Sequence, residues 1–222
     1  MTKKLEILNL GNMKYKKAYE LQLELIKKRA AGEIPDTLIL VEHPPVFTIG
    51  SSGTDEHISV SRDFLESSGI EVFETNRGGD ITYHGPGQIV AYPILNLKEH
   101  KQDLHWLLRQ YEEVTIRLLE EYGITARRID GLTGVWVGDE KITAIGVGVR
   151  RWVSYHGFAF NVNPNLEHFS YIIPCGIRDK GVTSLSKLQG EEMDMDEMRK
   201  KVIKYFAEVF EMEVLEDERQ IS

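Results

Sequence analysis

The chain has 222 residues, 41% of them hydrophobic, which suits one domain over residues 1–222 with a buried core. Its formal net charge of −8 argues against general nucleic-acid binding, and its single Cys excludes an internal disulfide and a multi-cysteine zinc site. No apolar run approaches the roughly 18 residues of a membrane span and no export signal is evident, so we expect a cytoplasmic protein that binds no membrane.

Hydrophobic periodicity and breaker residues predict the elements of the first third of the chain. Gly32 ends the first helix, and the Pro44-Pro45 pair interrupts a buried strand. The predicted elements, in order, are an edge strand at 5–10, a helix at 14–31, strands at 37–41 and 46–49, a short helix capped by Ser61, and a strand at 70–75.

The stretch RGGDITYHGPGQIVAY, from Arg77 to Tyr92, holds four glycines. It predicts antiparallel strands at 81–83 and 89–95 joined by a turn, with Pro93 marking a strand end or an edge. Clustered glycine indicates tight turns or a ligand close to the backbone, and the Arg77 donor fork beside bare N–H groups suits an oxygen-rich group. The alternative is a plain hairpin in which His84 is structural.

The second half predicts two helices and three strands. Asp103 caps a helix to Tyr122 whose apolar stripe, beginning at Leu104, is assigned to the core. A hairpin joins strands at 135–137 and 141–149, a strand follows at 155–162, and Asp194 caps a last helix. In this pattern Gly146 and Gly148 leave a bare strip that suits a close neighbour or a ligand.

Cys175 lies between Pro174 and Gly176 in a long irregular passage. A lone free Cys is most often a small buried hydrophobe, but a Pro-Cys-Gly loop can also present a thiol. Because only a few per cent of a free thiol is thiolate at neutral pH, a nucleophile needs a nearby cation or base. His84 and Lys141 are both candidates, and spacing does not choose between them. A Lys just past a hairpin turn, as here, is usually a solvated charge.

Other site chemistries lack their motifs. The chain has no phosphate-cradling glycine loop and no His-x-x-x-His pair, so we expect neither a cofactor nor a metal.

Five motifs, in order, resemble those of the lipoyl(octanoyl) transferase family, the lipoate–protein ligase B type. They are Glu42-His43-Pro44-Pro45, the glycine-rich stretch with Arg77-Gly78-Gly79, Thr82-Tyr83-His84, Gly87-Gln88 and Tyr92, then Lys141 to Gly146, His156 to Ala159, and Pro174-Cys175-Gly176. These motifs extend over most of the chain.

The resemblance implies an α+β fold, with a mixed, largely antiparallel sheet and flanking helices, similar to that of biotin and lipoate protein ligases. It implies octanoyl transfer from acyl carrier protein to a lysine of a lipoyl domain, as the first step of endogenous protein lipoylation. The implied acceptors are the lipoyl domains of 2-oxoacid dehydrogenases and the glycine cleavage H protein.

The resemblance also implies the roles of individual residues. Cys175 is the nucleophile that carries the acyl group as a thioester, and Lys141 is the general acid and base. The implied substrate-binding residues are Arg77, Gly78, Gly79, Asp80, Ile81, Thr82, Tyr83, His84, Ala144, Ile145, Gly146, Gly157, Phe158 and Ala159.

Two alternatives remain at this point. One is an ATP-dependent lipoate ligase on the same fold, which would not need Cys175. The other is a non-catalytic module that binds acylated proteins.

Overall fold

The computed structural model describes residues 2–172 and 180–215 and the backbone of residues 219–220. Cys175 falls outside the described residues. Five α-helices are described: α1 Tyr15–Ala30, α2 Arg62–Ser67, α3 Leu104–Glu120, α4 Leu185–Gln189 and α5 Met195–Phe210. None of the helices in this part of the chain has the length and apolar character needed to cross a membrane.

Thirteen strands are described in the same ranges. They are β1 Lys3–Asn12, β2 Asp36–Glu42, β3 Val46–Ile49, β4 Glu71–Glu74, β5 Ile81–His84, β6 Gln88–Ile94, β7 Arg127–Ile129, β8 Leu132–Val137, β9 Glu140–Arg150, β10 Val153–Asn161, β11 Gly181–Val182, β12 Met212–Val214 and β13 Arg219–Gln220.

The strands form a large mixed sheet and a small one. The large sheet runs β12-β1-β2-β6-β10-β9-β8-β7, with β13 paired to β1 and β11 paired to β9. Every junction from β2 to β7 is antiparallel, whereas β1, β11, β12 and β13 make parallel pairs. The small sheet runs β4-β3-β5. This architecture confirms the predicted fold class.

Alternate residues of the central strands enter two cores on opposite faces of the large sheet. Leu38 and Leu40 pack in the core that contains α3 and α5, whereas Ile39 and Val41 pack in the core that contains α1. This is the two-residue period of a strand covered on both faces. The helix starts also follow the sequence signals, since the side chains of Asp103 and Asp194 accept N–H bonds from the first turns of α3 and α5.

Two predictions about the strands are wrong. β1 is not an edge strand, because it lies between β12 and β2. The strands predicted at 81–83 and 89–95 do not pair with each other: β5 pairs with β3 in the small sheet, and β6 pairs with β2 and β10 in the large one. The turn between them carries the chain from one sheet to the other.

Pro93 marks a strand end as predicted, because it is the penultimate residue of β6, a central strand of the large sheet. The pairs Phe158 with Ala91 and Val153 with Asn96 place Pro93 opposite His156. Proline has no N–H, so the ladder is interrupted there. His156 adopts a φ of 54°, and its N–H donates instead to the Gln22 side chain of α1 at 2.7 Å.

The turn between β9 and β10 has two residues, Arg151 and Trp152, because Arg150 pairs directly with Val153. Both turn residues have positive φ, 54° and 65°. A two-residue turn of this hand matches the twist of the strands and normally selects Asn or Gly. The larger residues here show that the register of β9 on β10 is kept at a local conformational cost.

A buried carboxylate ties α1 to the large sheet. Asp36, 2% exposed, accepts hydrogen bonds from Arg29 Nε at 2.7 Å, from His100 Nε2 at 2.6 Å and from the Asn96 N–H at 2.9 Å. Burial raises the pKa of Asp36, but the bonds from His100, Asn96 and Arg29 outweigh burial and hold that pKa below the ordinary aspartate value.

We expect Asp36→Asn to lower the free energy of unfolding at pH 7 by about 3 kcal/mol, because the substitution breaks a buried ion pair. A group with a lowered pKa in the folded state stabilises above its unfolded pKa, and this contribution is lost as the pH falls through the folded pKa. The variant should therefore lose less stability than the wild type below about pH 4. Urea unfolding across this pH range measures both effects.

Glu213→Gln is the matched control, since Glu213 makes an exposed ion pair with Lys4. Its effect should stay below about 0.5 kcal/mol. Equal effects of the two variants would contradict the importance of the Asp36 network.

Candidate active site

A cavity of about 480 Å³ lies where the glycine-rich stretch that enters β5 meets β6, β9 and β10 of the large sheet. Its volume falls within the roughly 300 to 1,000 Å³ typical of small-molecule sites. Its wall is mainly apolar, with a few polar side chains at defined places.

Two rows of side chains that run across the large sheet contribute a floor of mostly small residues. Ala159 pairs with Val90 on one side and with Ala144 on the other, and all three line the cavity. Two residues earlier in β10, Gly157 pairs with Gly146, and both residues also line the cavity. Small residues at these positions leave room for an elongated apolar group directly on the strands.

The glycine-rich stretch covers this floor and is held by hydrogen bonds. Arg77, 7% exposed, donates from Nε to Thr48 Oγ1 at 3.1 Å and from Nη2 to the Thr48 carbonyl at 2.6 Å. The N–H of Gly78 donates to the Val147 carbonyl at 2.8 Å. A Cβ on Gly146 would lie 2.7 Å from the Gly78 carbonyl oxygen, so this approach requires glycine. Arg77 therefore uses these donors for hydrogen bonds within the protein, whereas the sequence suggested that they bind a ligand.

Lys141 lies on the cavity wall near the start of β9. Its Nζ is 4.8 Å from the centroid of the buried Trp136 ring, within cation–π range. Its aliphatic stem passes over Gly134, where a Cβ would lie 3.4 Å from Lys141 Cε and 2.6 Å from the Thr143 carbonyl oxygen. The φ of +125° at Gly134 also disfavours any other residue. The aliphatic part of the Lys141 side chain is therefore confined between the Trp136 ring and the backbone at Gly134.

Another part of the cavity is lined by Tyr15, His84, Tyr92 and His156, and His43 packs against Tyr15 and His84 outside the lining. Burial lowers the pKa of His43 to about 4 and that of His156 to about 3, and it holds the pKa of His84 well below the ordinary histidine value. Burial also raises the pKa of Tyr15 to about 12 and that of Tyr92 well above its ordinary value. This cluster is therefore uncharged at neutral pH and offers hydrogen bonds without net charge.

The structure brings most of the residues expected at the site into one cavity lining. Those that line it are Arg77, Gly78, Gly79, Asp80, Ile81, Thr82, His84, Lys141, Ala144, Ile145, Gly146, Gly157, Phe158 and Ala159. Tyr83 does not line it: its ring packs on Phe47 and Phe169, and its hydroxyl bonds to His168 Nδ1 at 2.8 Å. Since neighbours on a strand face opposite ways, Thr82 and His84 can line the cavity only if Tyr83 turns away. Cys175, the expected nucleophile, lies outside the described residues.

Sequence reasoning missed several lining residues. The structure adds Tyr15, Val90, Tyr92, Leu104, Leu108, Gly131, Leu132, Thr133, Val147, Asn161, Phe169 and Val182. His156, which begins the motif of residues 156–159, also lines the cavity. Leu104 was assigned to the core but is 43% exposed and lines the cavity. A large apolar residue in the first turn of a helix, next to an N-cap, is the signal that could have separated it from the buried stripe.

The arrangement combines three chemical properties. A floor of small apolar residues suits an aliphatic chain, the His and Tyr cluster supplies uncharged donors and acceptors, and Lys141 supplies an amine in the same cavity lining. Such a set suits acyl transfer between a thioester and an amine better than chemistry on a phosphorylated ligand.

Comparison with known proteins identifies the family. Residues 14–207 match the family described as the lipoyl protein ligase A/B catalytic domain. The chain is 54% identical over 209 residues to the octanoyltransferase of Caldicellulosiruptor saccharolyticus, covering 93% of this chain and 89% of the relative. It is 51% identical over 213 residues to that of Alkaliphilus metalliredigens, covering 96% and 98%.

Solved structures with the same fold include ligases. A putative lipoate protein ligase from T. acidophilum with bound lipoic acid superposes with a TM-score of 0.72 at 18% identity, covering 100% of this chain and 90% of that one. The biotin protein ligase of Aquifex aeolicus gives a TM-score of 0.52 at 17% identity, covering 95% and 70%. Identities this low carry the fold alone, whereas the relatives at about half identity carry the family. The chain therefore belongs to the octanoyltransferase family, within the lipoyl protein ligase A/B catalytic domains.

Proposed function

We propose that this enzyme transfers an octanoyl group from acyl carrier protein to a lysine of lipoyl-domain proteins, through a thioester on Cys175 and with Lys141 as general acid and base. The acceptors are the lipoyl domains of 2-oxoacid dehydrogenases and the glycine cleavage H protein. The reaction takes place in the cytoplasm and uses no cofactor, because forming an amide from a thioester is downhill.

The observation that carries the proposal is the position of the two chain segments that flank Cys175. Phe169, six residues before it, and Val182, seven residues after it, both line the cavity. Val182 also pairs with Lys141, because β11 adds to β9 in parallel at that point. Since a residue spans up to about 3.6 Å, a chain anchored at these two points can bring Cys175 to the wall that holds Lys141, which supports pairing the two residues in one mechanism.

The proton steps balance with these two side chains alone. Lys141 takes the thiol proton, the thiolate attacks the incoming thioester, and the carrier thiol leaves with that proton. The acceptor amine then attacks the Cys175 thioester, gives its proton to Lys141, and Cys175 leaves as thiolate. An ammonium beside the sulfur favours the thiolate at both ends of the cycle.

The cavity floor supports an acyl site for a chain of this length. Burial of each methylene contributes about 0.8 kcal/mol, so an eight-carbon chain gains roughly 5 kcal/mol before the costs of binding. Ala144 and Ala159, paired across β9 and β10, leave the space for it.

The ATP-dependent ligase alternative has weaker support. The solved lipoate protein ligases resemble this chain at 18–19% identity, whereas relatives named octanoyltransferase match it at 47–54%. The second alternative, a non-catalytic module, does not suit a member of this enzyme family.

Cys175→Ser should abolish the acyl-enzyme and reduce transfer to the lipoyl domain by at least about 100-fold, because a hydroxyl is a far weaker nucleophile at neutral pH. Intact-mass spectrometry after mixing with octanoyl carrier protein should show one octanoyl adduct on the wild type and none on the variant. An adduct elsewhere in the chain, with transfer undiminished, would refute the assignment of Cys175.

Lys141→Arg should keep the positive charge but slow transfer from carrier protein to lipoyl domain by about 100-fold, because a guanidinium does not act as a base near neutral pH. Lys16→Arg, an exposed position on α1, is the control and should retain the normal rate. If the Lys141 variant transfers octanoyl normally, Lys141 is not the base.

Ala144→Leu should shift the preference from octanoyl towards hexanoyl donors by about tenfold in kcat/KM, because the added carbons fill part of the floor. Ala30→Leu makes the same change at an exposed position at the end of α1 and should leave the preference unaltered. Competition between the two donors, read by mass spectrometry of the acceptor, measures the ratio. An unchanged ratio in the Ala144 variant would place the acyl chain elsewhere.

A further inference from the structure

His84 lines the cavity but has no assigned role in the mechanism above. It is 6% exposed, and its ring stacks on Tyr15 at a centroid distance of 6.0 Å and an interplanar angle of 11°. Its Nδ1 lies 3.1 Å from Oε1 of Gln88, a side chain that is 1% exposed. The chemical state of His84 therefore depends on how Gln88 is oriented.

Two backbone carbonyls settle that orientation, because a carbonyl can only accept a hydrogen bond. The Thr183 carbonyl takes Asn161 Nδ2 at 3.0 Å, which leaves Asn161 Oδ1 facing Gln88. The Gln88 Nε2 donates to this Oδ1 at 2.9 Å and to the Tyr83 carbonyl at 3.1 Å. If the Gln88 amide were flipped, its oxygen would face two other acceptor oxygens, Asn161 Oδ1 and the Tyr83 carbonyl, and neither hydrogen bond could form. Gln88 Oε1 must therefore face His84.

The orientation of Gln88 determines the tautomer of His84. Since Oε1 accepts, Nδ1 must carry the proton, and in a neutral imidazole Nε2 then has a bare lone pair. Burial, with further contributions from His43, Arg77 and His156, holds the pKa of His84 well below its ordinary value, so the ring stays neutral. Within residues 2–172 and 180–215 the hydrogen bond recorded for the His84 ring is the one at Nδ1, and His84 lines the cavity.

We propose that Nε2 of His84 accepts a hydrogen bond from the attacking amine of the acceptor lysine, and that Gln88 is the positioning residue that keeps Nε2 free for it. This inference rests on the proposed function. It follows from the reacting ends of the two substrates: a thioester presents only acceptor atoms, which an imidazole lone pair repels, whereas an amine presents N–H donors. His84 thus orients the amine and is too weak a base to deprotonate it, which leaves that step to Lys141.

The same hydrogen-bonded chain ends beside Lys141. The Thr183 N–H donates to the Lys141 carbonyl at 3.0 Å, so the strand segment that fixes Asn161 also pairs with the backbone of Lys141. The acceptor atom and the base are in this way built on one connected set of buried bonds. Their relative placement does not depend on exposed side chains.

The test has one spectroscopic and one kinetic measurement. In ¹⁵N-histidine spectra of the wild type, His84 should be the Nδ1–H tautomer and should not titrate between about pH 5 and 8. Gln88→Leu should lose this single tautomer. In steady-state octanoyl transfer the variant should raise the KM for an isolated lipoyl domain by about tenfold, the effect of one lost hydrogen bond, and leave the KM for octanoyl carrier protein unchanged.

Gln22→Leu is the matched control, because Gln22 is also a fully buried glutamine but contacts the His156 N–H rather than His84. It should leave the His84 tautomer as in the wild type, and thermal unfolding of both variants identifies any general loss of folding. An Nε2–H tautomer in the wild type, or a rise in the carrier-protein KM with the lipoyl-domain KM unchanged, would overturn the proposal. Failure to find an acyl-enzyme would count against the Cys175 mechanism alone, because both measurements here are independent of that intermediate.

Discussion

The site depends on the buried attachment of the glycine-rich stretch to both sheets. Arg77 bonds to Thr48 on β3 of the small sheet, and the adjacent Gly78 N–H bonds to Val147 on β9 of the large sheet. Two neighbouring residues thus join the two sheets, and the cavity is the space left between them. Hydrogen bonds to a charged group inside a protein are among the stronger ones, and an unpaired buried guanidinium would cost several kcal/mol. The depth of the cavity is therefore set by the protein's own packing before any ligand arrives.

The cavity lining contains two kinds of surface, and both suit the proposed acyl transfer. The rows from Val90 to Ala144 and from Gly157 to Gly146 provide an apolar floor made by backbone and small side chains. The His and Tyr cluster provides hydrogen bonds, yet burial keeps its members neutral. A charged group at that position would hold water in place and oppose entry of an aliphatic chain. Lys141 supplies an amine to the same lining, where its Nζ lies over the Trp136 ring.

The sequence predicted the elements well where the signal is local. The caps at Asp103 and Asp194 and the hairpin of β8 and β9 follow from short patterns of side chains, and they were confirmed. The pairing of β5 could not be read in this way. A turn of Gly85, Pro86 and Gly87 is equally compatible with a hairpin and with a crossing between sheets, and only the long-range partner β3 decides between them. The same holds for Arg77, whose partner Thr48 lies 29 residues earlier.

The candidate site was predicted from motif resemblance more than from residue chemistry. Spacing alone left Lys141 as a solvated charge and His84 as a structural side chain, because neither the Trp136 contact nor the Gln88 bond has a sequence signature. For Leu104, in contrast, the sequence pattern predicted a location and the location was wrong. Helical periodicity placed it with buried residues, although the first turn of α3 extends past the packed core to the cavity.

The turn of Arg151 and Trp152 has a consequence for the shape of the cavity. A turn of two residues fixes the register of β9 on β10. It therefore also fixes the pairing of Ala144 with Ala159 and of Gly146 with Gly157. One inserted residue would slide the strands past each other and exchange their faces, bringing Phe158 where the smallest side chains now lie. The length of a loop at the far end of the hairpin thus determines the dimensions of the cavity as firmly as the alanines that line it.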